Sequence, residues 1–598
     1  MEFKRICSSA LGGNGTAQRR LRPLWILLSV FLALPSPSSI AQTQRPDAGS
    51  VLEGLKQPAP VPKATPQVLP RVEEPRPALG APGLKVVVNG FRITGNTLFD
   101  EATLLDTVKE FVGKEQTIDG LNDAATKVRA YYRERGYFLA QAYLPQQEIK
   151  GGIVEIAVIE ARVGKVAVDL KEGTRFSETM VRGIVESHLK EGDIITETGL
   201  ETPLLLLNDF PNAVVTSEIK PSQTIGSADL VVHVSDGGSA INGSVDYDNY
   251  GSRFIGQHRY GVSFNLNNPF ALGDQISYRG FISNEDFGFY RLAYVVPVGY
   301  WGTRVGLSYS TFHYRLGLNA QDAAGNVSSL VSQGIHGAGT VVSGYAFHPL
   351  IRTRSSNLIA QLAYETKSLS DRNETAGSIT DTRINSSKLG FVGDYRDGLL
   401  GGGLNSFSYT ITEGNVLLSP TGVLTADLAA AGFKTSGRFA KQNYEFRRLQ
   451  KLTDSTTLLL SLSGQMASKN MPSAEKFSLG GPAGVRAYPT GEALGDTGWV
   501  FQGEARYLVP GWKLVGGDVT MSAFWDQGWV QINENNPASN ANVANNRRIS
   551  GYGLGGSIGR DGDFILRATA AWRNENEVPT SDAAPRTPRV WVQAIKWF

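Results

Sequence analysis

After Asp236-Gly237-Gly238 the side-chain pattern takes a period of two and keeps it to the end of the chain. Tyr260, Val262, Phe264 and Leu266 alternate with Arg259, Gly261, Ser263 and Asn265. Further on, Leu458, Leu460, Leu462 and Met466 alternate with Ser461, Ser463 and Gln465. Such strands have one apolar and one wet face, because successive side chains point to opposite sides of a sheet. A transmembrane β-barrel with a polar lumen needs both faces. Closure also removes the sheet edges, whose unpaired amides and carbonyls find no partner in lipid. At about 22 residues per strand with its share of loops, residues 237–598 predict sixteen antiparallel strands.

The chain of 598 residues has room for two or three domains, and no apolar run in it is long enough to span a bilayer as a helix. Its formal charge of +2 gives no hint of a nucleic-acid partner. The amino terminus reads as a secretory signal over residues 1–41: Arg19, Arg20 and Arg22 precede the apolar stretch Leu24 to Leu34, and Ser39-Ile40-Ala41 supplies small residues for cleavage before Gln42. The single cysteine, Cys7, lies in that segment, so the mature chain has neither disulfides nor a Cys-ligated metal. His188, His233, His258, His313, His336 and His348 show no metal-ligand spacing, and no Walker loop is present. No cofactor or metal is expected.

Residues 42–84 form a Pro-rich linker, extended by composition. One island, Asp47 to Lys56, is predicted as a short helix capped by Asp47. Gly49 and Gly54 weaken it, and so short a helix needs a host cavity or stays disordered. Two α+β modules follow, over residues 85–162 and 163–236. In the first, strands at Val86–Val88 and Phe91–Ile93 lead to a helix capped by Asp100 and a second capped by Asp119, which Gly136 stops. Strands at Tyr137–Leu144 and Val154–Ile159 complete it. The second repeats the plan: a strand at 164–168, helices from Glu178 to Leu189 and near Leu204 to Asn208, then strands at Ala213–Ile219 and Leu230–Val234. Pro203 should truncate or kink the later helix, since it lacks a backbone donor. Solvent-facing sheet edges in such modules can take on an extended chain through main-chain hydrogen bonds.

Two strings late in the chain stand out. Phe477 to Pro489 is a glycine-rich turn carrying one arginine, Arg486, between Val485 and Ala487-Tyr488. Phe524-Trp525-Asp526-Gln527-Gly528 offers a carboxylate on an alternating run. Together they resemble the loop-and-strand lock of the TpsB-type two-partner secretion transporters, the haemolysin secretion/activation family within the outer-membrane POTRA-barrel superfamily. The modules are similar to that family's POTRA domains at Gly95-Asn96-Thr97-Leu98, Ala142-Tyr143-Leu144-Pro145-Gln146-Gln147 and Leu207-Asn208-Asp209-Phe210-Pro211. The barrel is similar at Asp248 to Arg253 and at Asn268 to Asp274, and it closes on Lys596-Trp597-Phe598, with the terminal aromatic common in outer-membrane barrels.

The resemblance implies that Val485, Arg486, Tyr488, Phe524, Asp526 and Gly528 form the lock, with the guanidinium forked onto the carboxylate. A water-holding pore leads us to expect a hydrated pair. Tyr143, Leu144, Pro145, Gln146 and Gln147 would belong to the client-docking surface, and the helix after Asp47 to a pore plug. Ala487 departs from the family pattern, which has glycine there: it would strain the tip if that position needs a positive φ, and fit if glycine only permits close approach. The implied activity is export of an unfolded exoprotein, of the TpsA-like β-helical kind, from the periplasm through the outer membrane by a monomer. No nucleotide drives it, and folding outside would rectify the movement.

A passive porin, an outer-membrane assembly factor and a scaffold displaying a partner are the alternatives. Two modules rather than a longer series favour secretion over assembly, and an open porin needs neither. Enzyme readings are weak and no catalytic residues are assigned. Gly551-Tyr552-Gly553-Leu554-Gly555-Gly556 and Gly555-Gly556-Ser557-Ile558-Gly559 match a dinucleotide fingerprint and a nucleophile elbow in letters only, since neither lies between a parallel strand and a helix.

Overall fold

The computed structural model describes residues 47–55, 85–224, 226–317, 329–537, 540, 543–574, 577–581 and 587–598. The expected signal segment, and the linker apart from residues 47–55, lie outside them.

The first module is a three-stranded sheet in the order Gly90–Thr94, Ile153–Ile159, Gln141–Tyr143, the first pair parallel and the second antiparallel. Helices Glu101–Val108 and Ile118–Arg133 bury Leu104, Val108, Leu121, Val128 and Tyr132 against Ile93, Val154 and Ile156. Asp100 caps the first helix, accepting from the Thr103 amide. The second begins two residues earlier than the sequence indicated. Its cap is Thr117, which accepts from the Gly120 amide, while Asp119 sits in the first turn, where its charge meets the positive end of the helix dipole. Gly136, at φ +87°, ends that segment. The strand expected from Tyr137 shrinks to Gln141–Tyr143, because residues 137–140 turn back on themselves: the Tyr137 amide donates to Tyr132 O at 3.1 Å and the Ala140 amide to Tyr137 O at 3.0 Å.

Glu160 closes this module. Its carboxylate accepts from the amides of Thr97 at 2.8 Å and Leu98 at 2.9 Å, from the Tyr132 hydroxyl at 2.7 Å and from the Thr97 hydroxyl. Burial opposes ionisation of Glu160, but these donors outweigh it and hold the carboxyl below its ordinary value. Burial, and then Glu160 itself, push the Tyr132 phenol far up.

The second module is a sheet in the order Arg162–Leu170, Ser227–Asp236, Ala213–Pro221, covered by helices Glu178–His188 and Glu197–Asn208. Pro203 does not truncate the later helix, which starts at Glu197 and runs through it. Leu200 and Leu204 to Leu207 are all buried there. At about 1.5–3 kcal/mol per buried leucine, that burial exceeds the roughly 3 kcal/mol that an interior proline costs.

The second module docks on the barrel turns nearest to it. Arg352 forks onto Asp209 at 2.7 and 2.8 Å, the Thr202 hydroxyl donates to Arg352 O at 3.0 Å, and the Arg354 amide donates to Glu201 at 3.0 Å.

Sixteen antiparallel strands then close into a barrel, from Ile241–Asp248 to Arg589–Trp597, which pair with each other. Phe598 and Gly243 exchange backbone hydrogen bonds at 3.0 Å. The outer face is apolar, as the alternation predicts: Tyr260, Val262 and Phe264 are exposed, with Leu307, Leu362 and Leu554 elsewhere on the wall. Lys596 pairs with Asp563. Both glycine-rich pseudo-motifs lie on the strand Asn546–Arg560, where several glycines face neighbouring backbone or aromatic side chains too closely for a Cβ.

Candidate functional site

The eleventh and twelfth barrel strands, Thr456–Ala467 and Thr497–Leu514, are joined by residues 468–496, on the rim opposite the modules. This loop touches Lys367 and Lys441 on one wall and Asp526, Gly551 and Trp591 on the other, so it crosses the lumen. Its tip is a tight turn. Gly481 has φ +107°, and a Cβ on Gly484 would lie 2.0 Å from the Leu479 carbonyl oxygen. Folded back in this way, the Val485 amide donates to Leu479 O at 2.7 Å and the Tyr488 amide to Val485 O at 3.0 Å.

The tip faces the strand Gly517–Gln531, on which Phe524, Asp526, Gly528 and Val530 point inward while Met521 and Trp525 face out. Arg486 donates to Asp526 from Nε at 2.9 Å and from Nη2 at 2.8 Å, and its backbone amide donates to the same carboxylate at 3.1 Å. Its third nitrogen, Nη1, meets Glu504 on the adjacent strand, and the guanidinium carbon lies 3.5 Å from the centre of the Phe524 ring. The Trp591 indole donates to Arg486 O at 2.7 Å. Asp526 has no exposed surface. The expectation of a hydrated pair is therefore corrected. Protein donors and the Phe524 ring take the places that water would fill, and burial makes the pair strong only because every partner is present.

The remaining lock residues shape the seat. Val485 and Tyr488 are buried, and the Tyr488 hydroxyl donates to Glu577 O at 3.2 Å. A Cβ on Gly528 would come within 2.9 Å of Leu479 Cδ2, so its absence lets the loop approach the wall. Ala487 is not among the described non-glycine residues with positive φ. Its methyl group faces Gly551, where an added Cβ would lie 2.4 Å from it. The wall glycine makes the room that the loop alanine occupies.

Three further buried carboxylates on the loop escape sequence reasoning. Glu475 binds Lys367 at 2.6 Å and Lys441 at 2.7 Å. Glu492 meets Arg547 and accepts from the amides of Thr580 at 2.8 Å and Ser581 at 2.9 Å. Asp496 accepts from Lys476 at 2.7 Å and from the Glu534 amide at 2.8 Å. Inward charges on a barrel strand look like ordinary pore lining, so only spatial proximity reveals these pairs.

The helix Ala48–Gly54 also lies inside the barrel. Asp47 caps it, accepting from the Ser50 amide at 2.7 Å and from the Ser473 hydroxyl of the crossing loop at 2.7 Å. The Ala48 amide donates to Asp371 at 2.7 Å, and Val51 packs among Phe254, Ile255, Phe281 and Phe312. Gly49, which weakens the helix by composition, is required by position: a Cβ there would sit 2.5 Å from the Ala474 nitrogen.

The Tyr143 to Gln147 string divides in two. Tyr143 and Gln146 are exposed at the edge of the first sheet. Leu144 packs on the module core beside the half-buried Pro145, and the Gln147 amide closes onto the Glu155 backbone at 2.7 and 2.8 Å, extending the ladder where strand pairing has ended.

Residues 226–558 match the family described as haemolysin secretion/activation protein ShlB/FhaC/HecB, and residues 86–161 match the POTRA domain, ShlB-type. The heme/hemopexin transporter protein HuxB of Haemophilus influenzae is 26% identical over 588 residues, covering 97% of this chain and 100% of HuxB. The outer membrane transporter CdiB of Dickeya dadantii is 24% identical over 86% of this chain and 88% of its own. The solved structure of CdiB from Escherichia coli superposes with a TM-score of 0.65 at 20% identity, over 88% of this chain and 93% of that one, and shares the fold. With the family match spanning more than half of its 598 residues, the chain belongs to the haemolysin secretion/activation family, the outer-membrane transporters of two-partner secretion whose POTRA domains lie in the periplasm.

Proposed function

We propose that this transporter captures one unfolded exoprotein on the edges of its two periplasmic modules, the second acting as a POTRA domain like the first, and threads it through the lumen as a monomer. The crossing loop and the lumen helix hold the resting pore shut. The observation that carries this reading is the way the lumen is filled. Both fillers are tethered segments held by discrete polar contacts, Arg486 on Asp526 and Asp47 on Ser473, rather than by continuous sheet pairing with the wall. Contacts of that kind can be exchanged one at a time when a chain enters.

Edge strands suit an unfolded client because main-chain pairing makes few sequence demands. In the first module Gln141–Tyr143 is one of the two edge strands, with Tyr143 and Gln146 displayed beside it. No catalytic step is needed, and the favourable free energy comes from the client folding outside into a β-helix. Because HuxB is described as a heme/hemopexin transporter and aligns along its full length, a secreted protein of that class is the first client to test.

Deleting residues 86–160 tests the docking role. The barrel should still insert, as read by heat-modifiable migration in detergent gels, while a co-expressed exoprotein that the parent exports disappears from the medium. Normal exoprotein levels from that deletion would reject it.

A further inference from the structure

We infer that Glu475 is the positioning residue that keeps the lumen helix in place, an inference that rests on the reading of this helix as a plug. Ser473-Ala474-Glu475 form a single 3-10 turn at the start of the crossing loop, and each residue of it does something different. The Ser473 hydroxyl donates to the helix cap Asp47 at 2.7 Å. Ala474 presents its backbone to Gly49, so closely that a Cβ on Gly49 would lie 2.1 Å from Ser473 Oγ and 2.5 Å from Ala474 N. Glu475 turns the other way and grips the wall.

That grip is built from two strands. Lys367 on Ser356–Asn373 and Lys441 on Gly437–Lys451 bind the two oxygens of Glu475, at 2.6 and 2.7 Å, and Glu475 is 1% exposed. Lys441 also donates to the Glu475 carbonyl at 3.0 Å, and Gln465 ties that carbonyl, at 2.8 Å, to the Asp496 carbonyl at 3.0 Å on the returning arm of the loop. The turn is thus clamped to the wall on one side and offers the helix its bed on the other.

The wall strand that supplies Lys367 also supplies Asp371, which accepts from the Ala48 amide at 2.7 Å, so clamp and helix share one support. A seven-residue helix has little stability of its own and stays folded only against a fixed surface. Neutralising Glu475 removes the carboxylate that Lys367 and Lys441 share, while Glu365 stays 3.3 Å from Lys367, so the side-chain hold of the turn on the wall is weakened. The Arg486 contacts lie on other strands and remain intact. Glu475 should therefore control occupancy of the pore, and Arg486 the set of the loop tip.

The test uses the full-length protein in planar bilayers with Glu475→Gln. A second readout is disulfide formation in a Gly54→Cys/Thr490→Cys pair placed in a Cys7→Ser background, since a Cβ on Gly54 would lie 3.5 Å from Thr490 Cγ2. We expect Glu475→Gln to shift the closed-to-open ratio by about tenfold or more towards open, a value below that of a dry pair because the vacated site admits water. The cross-linked fraction should fall with it. Gly49→Val, which fills the bed directly, should open the pore with Glu475 intact.

Parent-like conductance and cross-linking in Glu475→Gln, with Gly49→Val open, would overturn the role of Glu475. A parent-like Gly49→Val would instead overturn the plug reading. Should Glu475→Gln fail to insert, Lys441→Gln keeps Lys367 on Glu475 and carries the same expectation at smaller amplitude. Unchanged conductance there overturns the inference equally.

Discussion

Arg486 reaches across the lumen and forks onto Asp526, with Nε at 2.9 Å and Nη2 at 2.8 Å from the two carboxylate oxygens. Arg486→Ala would strand a carboxylate that has no exposed surface, a loss of about 3–5 kcal/mol from the seating of the loop. Asp526→Ala should be milder, because Glu504 still holds the guanidinium. The double variant should differ little from Arg486→Ala. Arg486→Lys should fail nearly as badly, since an ammonium cannot span Asp526 and Glu504 as a fork does. Export assays on the four-member cycle check this, and additive losses would mean that the two residues act separately.

Ala487 and Gly551 make a second, apolar pair. Gly551→Ala brings two methyl groups to 2.4 Å and should unseat the loop tip at a cost of about 1–3 kcal/mol, the usual range for overpacking. Ala487→Gly in the same chain should restore export. Without that rescue, the strain of Gly551→Ala would have to lie against the Trp572 carbonyl, 2.9 Å from the added Cβ.

These two pairs show what the sequence could and could not convey. Alternation at residues such as Tyr260 to Leu266 reports only which face a side chain takes, which was enough for an apolar exterior, and the length of residues 237–598 was enough for the strand number. The cap at Asp47 was legible because it is local, joining residues three apart. Arg486 and Asp526 could be paired only through family resemblance, and their dryness could not be read at all, since it depends on Phe524, Val485 and Trp591 converging from separate parts of the chain. Glu475, Glu492 and Asp496 stayed hidden among pore-lining charges for the same reason. Pro203 misled because a local rule was overridden by the burial of its neighbours.

Glu160 links the first module to pH. Its folded-state pKa is depressed, so its stabilisation is complete above the ordinary glutamate range near about 4.3 and is lost as pH falls through its lower folded value. Glu160→Gln places an amide NH2 among four donors and should cost about 1–3 kcal/mol at neutral pH. The difference from the parent should shrink towards the acid end. Urea unfolding of residues 85–236, whose modules each have a buried core, measures this across pH. A difference that does not change with pH would assign the loss to packing instead.

If the client passes through the lumen that the loop and helix fill, tethering the helix in place must stop export. Gly54→Cys/Thr490→Cys in a Cys7→Ser background bonds the helix to the crossing loop, where a Cβ on Gly54 would lie 3.5 Å from Thr490 Cγ2. Exoprotein in the medium is then measured from cells before and after addition of a membrane-impermeant reductant. Export should stop when the bridge is oxidised and return on reduction, with barrel assembly unchanged throughout. Export at the parent rate with the bridge fully formed would contradict it, since the client would then be leaving by a path that does not require the lumen to empty.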